Sequence, residues 1–236
     1  MRIPMRYVRL MAIAISLGLA GCFKLARESP RLKLYALGGG SAVAMPTATV
    51  GATTAARGSL TIGLRRLELA SYLSVPAVMM RRGANQLEAS DFHRWGGELD
   101  ESITRAVGAY LAGSPPVRAV DVAPWPSRVR HDFLVQLHVS RFEGVADSAA
   151  TDGRVHLRAG WDIIHPLDGA VLVRGTTDDR GGTFRVGDYA GLVSGLDASL
   201  LRLARDISAC LARFPNDSTP PANCRSVSAG EGSGAR

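Results

Sequence analysis

Phe133-Leu134-Val135-Gln136-Leu137-His138-Val139-Ser140-Arg141-Phe142 places apolar side chains at every second position through Val139, with Phe142 a candidate to extend the series. That period of two predicts a long strand with one face on a core. Val155, Leu157, Ala159, Trp161 and Ile163 repeat the pattern, and Val171 to Thr176 supplies a further partner. Gly144 to Gly153 and Pro166 to Gly169 read as the hairpin connections, and Arg174 to Gly187 as a polar, Gly-rich loop. The period then changes. From Tyr189 to Phe214, Leu192, Leu196, Leu200, Leu203, Ile207 and Leu211 fall on one helical face.

Upstream of these strands the pattern is shorter. Arg31 to Leu37 alternates as a first strand ending at Gly38-Gly39-Gly40, and Ser41 to Arg57 is a loop of small residues. Leu60, Ile62 and Leu64 predict a second strand, and Ala77 to Arg81 with Asn85 to Glu88 a hairpin across Arg82-Gly83-Ala84. Ser90 is a candidate cap for a segment in which Phe92, Trp95, Leu99, Ile103, Val107 and Tyr110 share a helical face. Gly96-Gly97 interrupts that segment, so the helix proper is expected from Glu98 to Leu111, stopped by Gly113 and Pro115-Pro116. Val117 to Val122 follows as a strand. The predicted class is α+β: a mixed, mostly antiparallel β-sheet with two main helices packed on it, and a parallel pair allowed among the first strands.

The N-terminus carries a different signal. Arg2, Arg6 and Arg9 precede an apolar run from about Leu10 to Leu19, too short to span a bilayer, and then Leu19-Ala20-Gly21-Cys22. Small residues running into a cysteine form the lipobox of bacterial lipoproteins. The expectation is a signal peptide over 1–21 and a lipidated tether over 22–30. A domain over 31–214 and a flexible tail over 215–236 complete the division. An ordinary signal peptide with a chance cysteine is the competing reading. Phe23 rather than Asp after Cys22 favours the outer membrane, with the domain facing the periplasm. Of 28 Lys and Arg, three leave with the signal, so the formal charge of +7 falls to +4. No basic run with interleaved aromatics is present, which argues against nucleic acid as a partner. Once Cys22 is consumed, Cys210 and Cys224 remain in an oxidising compartment. The expectation is a disulfide between them; a buried thiol at Cys210 and a free Cys224 is the alternative.

Chemistry-bearing patterns are weak. His93 has no second His or Cys three or four residues away, as a metal site would want, and reads as a structural or partner-contacting histidine. His138 and His156 lie on long strands and are expected to face solvent. Asp178-Asp179 lacks a following ladder of acidic ligands and reads as a turn. Gly191-Leu192-Val193-Ser194-Gly195 misses the spacing of a nucleophile elbow, and Gly38-Gly39-Gly40 misses both phosphate-loop spacings. Glu98, Asp100 and Glu101 suit the first turn of a helix. The expectation is no enzyme, no metal and no cofactor. Trp95 is expected to pack on the sheet, with His93 and Arg94 as the candidate partner contacts.

Tyr35-Ala36-Leu37, then Leu69-Ala70-Ser71-Tyr72-Leu73-Ser74-Val75-Pro76, and above all Ser90-Asp91-Phe92-His93-Arg94-Trp95-Gly96-Gly97-Glu98-Leu99 resemble the PqiC-type, or ABC-transport auxiliary, lipoproteins. The strand from Gly153 to Ile163 and Tyr189-Ala190-Gly191-Leu192-Val193 extend the resemblance over roughly residues 31–214. Gly96-Gly97 and the cysteine-bearing tail depart from the family pattern. The resemblance implies an outer-membrane lipoprotein partnered with an MCE-domain protein that forms a periplasmic conduit for lipid. It also implies a ring-shaped homo-oligomer. Two other classes stand beside it: a lipoprotein that itself binds a lipid or small hydrophobic ligand between sheet and helices, and, less favoured, a hydrolase.

Overall fold

A computed structural model describes residues 31–39, 58–126 and 128–213, with the backbone of 224–226. The signal peptide and tether, the loop from Ser41 to Arg57 and the tail around Cys224–Ser226 lie outside those residues. The long alternating segments form strands β7 (Phe133–Ala146), β8 (Asp152–Ile164) and β9 (Val171–Asp179), which pair antiparallel in succession. On β7 the side chains of Val135, Leu137 and Val139 are buried, and so is Phe142. An irregularity between Val139 and Arg141 shifts the register there. One extra residue at Ser140 moves the inward set from odd to even positions, which keeps Phe142 in the core.

Around this antiparallel half the sheet becomes mixed. Its order is β1 (Lys33–Tyr35), β5 (Gln86–Trp95), β4 (Ala77–Arg82), β7, β8, β9 and β11 (Cys224–Ser226). Strand β2 (Leu60–Leu64) lies parallel to β6 (Val117–Val122) and to β7, β3 (Glu68–Leu69) is parallel to β7, and β10 (Thr183–Arg185) is antiparallel to β8. Strands β1 and β4 are also parallel to their neighbours β5 and β7. This is the α+β arrangement the pattern predicts.

Helix α1 (Leu99–Ala112) packs on β6 and on helix α2 (Tyr189–Leu211), and α2 packs on β8, β9 and β10. The α2 stripe of Leu192, Leu196, Leu200, Leu203, Ile207 and Leu211 is fully buried. Its start is fixed by Asp188, whose carboxylate accepts the Gly191 N–H at 2.9 Å. Gly108 lets α1 approach the sheet, since a Cβ there would press on Val122.

Two readings of local pattern give way. Ser90 caps nothing: Ser90 to Trp95 continue β5, because β4 and β1 flank that segment and satisfy its backbone hydrogen bonds. Phe92 is exposed, so its helical spacing to Trp95 and Leu99 is coincidental. The helix begins only after the turn at Gly96-Gly97. Likewise the strand read over Val171 to Thr176 runs on, so Thr177 to Asp179 is strand rather than loop and Asp178-Asp179 is not a turn. The inward positions there are Gly175 and Thr177, which carry no apolar signal. Gly175 is required because a Cβ would fall inside the Trp161 indole ring directly across the pair.

Candidate functional site

The segment Ser90 to Leu99 brings three different surfaces together. At the end of β5, Trp95 is 4% exposed and lies 5.8 Å from the Phe142 ring. Its backbone N–H donates to the Pro76 carbonyl at 2.7 Å, and the Gly96 N–H donates to the Tyr35 carbonyl at 2.7 Å. Its indole Nε1 is buried without a hydrogen-bond partner. The chain then turns into α1, leaving a cavity of about 700 Å³ beside Trp95. Leu67, Leu73 and Leu99 line that groove with Trp95, and Arg66 and Asp100 bring charge, their side chains paired at 3.4 Å. The volume lies in the range of small-molecule sites, with mixed apolar and charged walls.

His93 and Arg94 do not form one polar surface. His93 faces inward: its ring stacks on Tyr189 with centroids 4.0 Å apart at 10°, and its Nδ1 shares a 2.9 Å hydrogen bond with the Tyr35 hydroxyl. Burial, aided by the Lys33 charge, holds its pKa below the ordinary imidazole value. Arg94, one residue on, points to the opposite face and is exposed. The loop after β1 is tied down nearby, where the Gly38 N–H donates to Asp197 of α2 at 2.8 Å.

Two polar clusters escape sequence reading. Glu143, fully buried on β7, accepts from Arg81 Nε at 2.6 Å, Arg141 at 3.1 Å and the Tyr72 hydroxyl at 2.8 Å. Burial, then the hydrogen bond to Glu143, raises the Tyr72 pKa strongly. The partners are separated by more than sixty positions along the chain, apart from Arg141. The one local clue is a glutamate inside an alternating strand, a pattern that on its own reads as an outward position. The second cluster ties β9 to α2. The Thr177 hydroxyl donates to Asp206 at 2.7 Å, and the Arg202 Nε donates to Asp179 at 2.8 Å. Burial works to raise the Asp179 pKa, but hydrogen bonds from Ser199 and Arg202 outweigh it and the net shift is downward. On the outer side His156, expected in solvent, is buried with its Nε2 at 2.9 Å from Asp178. The Arg180 guanidinium is the main cause of a lowered Asp178 pKa, which burial opposes. His138 does face solvent, beside Glu68 at 3.0 Å.

No group of three or more His, Cys, Asp or Glu among the described residues could hold a metal ion. No described helix is long and apolar enough to cross a membrane. Cys210, buried in α2, is disulfide-bonded; Cys22 and the side chain of Cys224 lie outside the described residues.

A family model described as the ABC-type transport auxiliary lipoprotein component matches residues 42–208. Among solved structures, a Xanthomonas campestris protein of the DUF330 family superposes with a TM-score of 0.56 at 14% identity, over 78% of this chain and 93% of its own. An uncharacterized protein superposes with a TM-score of 0.50 at 15% identity, over 64% of this chain and 92% of its own. At these identities the likeness is one of fold. No curated protein matches the chain.

Proposed function

The chain belongs to the ABC-type transport auxiliary lipoprotein family, and we propose that it docks a periplasmic MCE-domain conduit at the outer membrane in an intermembrane lipid transport system. The match across residues 42–208 carries this reading. The lipobox ending at Cys22 adds an anchor, and the short segment from 22 to 30 would hold the domain within about 30 Å of its membrane. The domain offers grooves and a rigid sheet, consistent with a role in binding rather than catalysis. In this role the protein carries Cys22 as its lipid attachment and works as a homo-oligomer. His93 and Arg94 then serve different ends: Arg94 is exposed on the outer face, open to a polar contact outside the domain, and His93 fixes β5 against Tyr189.

The experiment is co-purification of the native lipoprotein from mildly solubilised, crosslinked envelopes. Recovery of an MCE-domain protein is expected. Stoichiometric recovery of other envelope proteins without it would overturn the assignment. A second reading rests on the groove beside Trp95, whose volume suits a small ligand and whose Leu67, Leu73, Leu99 and Trp95 wall could take an acyl chain beside the charged Arg66 and Asp100. Native mass spectrometry of the purified protein tests it: a co-purifying lipid lost on Leu73→Trp would favour direct binding.

A further inference from the structure

Strand β1 lies parallel to β5 with Lys33 opposite His93, Leu34 opposite Arg94 and Tyr35 opposite Trp95. Side chains at paired positions share a face, and successive positions alternate. Tyr35, His93 and Trp95 therefore face the interior, and Lys33, opposite His93, lies on that side of the strand as well. Leu34 and Arg94 face away from it, and so do Leu32 and Phe92, two positions earlier on each strand. The three apolar members of this outer strip are 54%, 64% and 41% exposed for Leu32, Leu34 and Phe92. They form a patch of large apolar side chains at the margin of the sheet, on the strand that leads out of the tether.

Its position selects its occupant. Nine residues lie between Cys22 and Leu32, a reach of at most about 35 Å when extended. That stretch is cationic: Lys24, Arg27 and Arg31 accompany a single acid, Glu28. Arg94 adds a further exposed cation within the strip, and Asp91 is the acid next to Phe92. Apolar side chains beside Arg94, on a strand led in by a cationic tether, match the boundary between lipid headgroups and acyl chains, where buried apolar area and attraction to phosphate act together. Tethering makes such a contact intramolecular, so a weak contact suffices to hold one orientation.

We propose that Leu32, Leu34 and Phe92 seat in the surface of the membrane that holds the lipid anchor, with Arg94, which shares their face, against lipid phosphate. This rests on the reading of Cys22 as the anchor. The contact turns the β1 edge towards the bilayer and so fixes which surfaces of the domain remain open to a conduit.

The test uses the full lipidated chain on phosphatidylethanolamine–phosphatidylglycerol vesicles. An environment-sensitive dye is placed at Leu34→Cys, at Phe92→Cys and, for comparison, at Leu167→Cys, which is 90% exposed in the β8–β9 connection. Dye incorporation is counted against the parent chain labelled in parallel, and matched melting temperatures verify folding. Lipids brominated in the upper acyl region should remove most of the emission at positions 34 and 92 and leave that at 167 nearly intact. Equal quenching at all three positions overturns the proposal. So does shielding of 34 and 92 that appears only on adding a partner protein, which would make the strip a protein-docking surface. Intact-mass measurement on the same sample reads the anchor separately: an unmodified Cys22 sinks the anchor reading. With Cys22 found lipidated, absence of quenching at 34 and 92 sinks the strip while the anchor reading stands.

Discussion

Trp95, His93 and Glu143 show how differently one sheet can use its side chains. Trp95 is buried through its place at the end of β5, not through a helical stripe, and the energetic expectation survives that change. Truncating a buried Trp costs about 3–5 kcal/mol, so Trp95→Ala should lower the melting temperature sharply. Arg94→Ala, at an exposed position, should stay within about 0.5 kcal/mol of wild type. Thermal melts of the two variants decide it, and equal stability would move Trp95 out of the core. Glu143 is the buried member of a charged network, so its removal leaves Arg81 and Arg141 without their common partner. Breaking a buried pair costs about 3–5 kcal/mol; a Glu143→Ala chain as stable as wild type in urea titrations would exclude a stabilising role. For His93 the folded state favours the neutral ring, so the stability it contributes is full above the unfolded value near about pH 6.5. That contribution is lost as pH falls through the lower folded pKa. Wild type should therefore lose more stability than His93→Phe between about pH 7.5 and about pH 5.5. Parallel pH dependences in the two melts would contradict this.

At the scale of the element, α2 and β8 are the parts whose periodicity was sufficient in itself. Six leucine and isoleucine positions at helical spacing all reach the core, and five alternating positions of β8 do the same. Where inward residues are small or polar, as at Gly175 and Thr177, the same strand leaves no hydrophobic trace. The covalent partner of α2 belongs to this scale. Cys210 is disulfide-bonded, and the strand Cys224–Ser226 runs antiparallel to β9, next to the sheet region that α2 covers. Non-reducing peptide mapping should find one Cys210–Cys224 link. Its loss in Cys224→Ser should cost about 3 kcal/mol, the chain-entropy value for a loop of this size. A Cys210 peptide linked elsewhere would refute the pairing.

Over the whole molecule, the anchor proposed at Cys22 would determine where the fold acts. Cys22→Ala should leave an uncleaved precursor or release the protein from membranes, as read by fractionation and intact mass. A wild-type mature chain with an unmodified Cys22 would contradict the assignment. The sequence by itself determined the long core strands, the two helices and the α+β class, because burying one face of an element imposes a local period that survives in the order of residues. It also carried the lipobox and the family signature, which are contiguous. Only the tertiary structure decided that Ser90 to Trp95 is a strand, that Thr177 to Asp179 continues β9, and that Glu143 lies buried among Arg81, Arg141 and Tyr72. It alone placed Leu32, Leu34 and Phe92 on one outer face. Those outcomes depend on which strand lies alongside and which distant charge arrives opposite, and pairing across more than fifty residues leaves no local period to read.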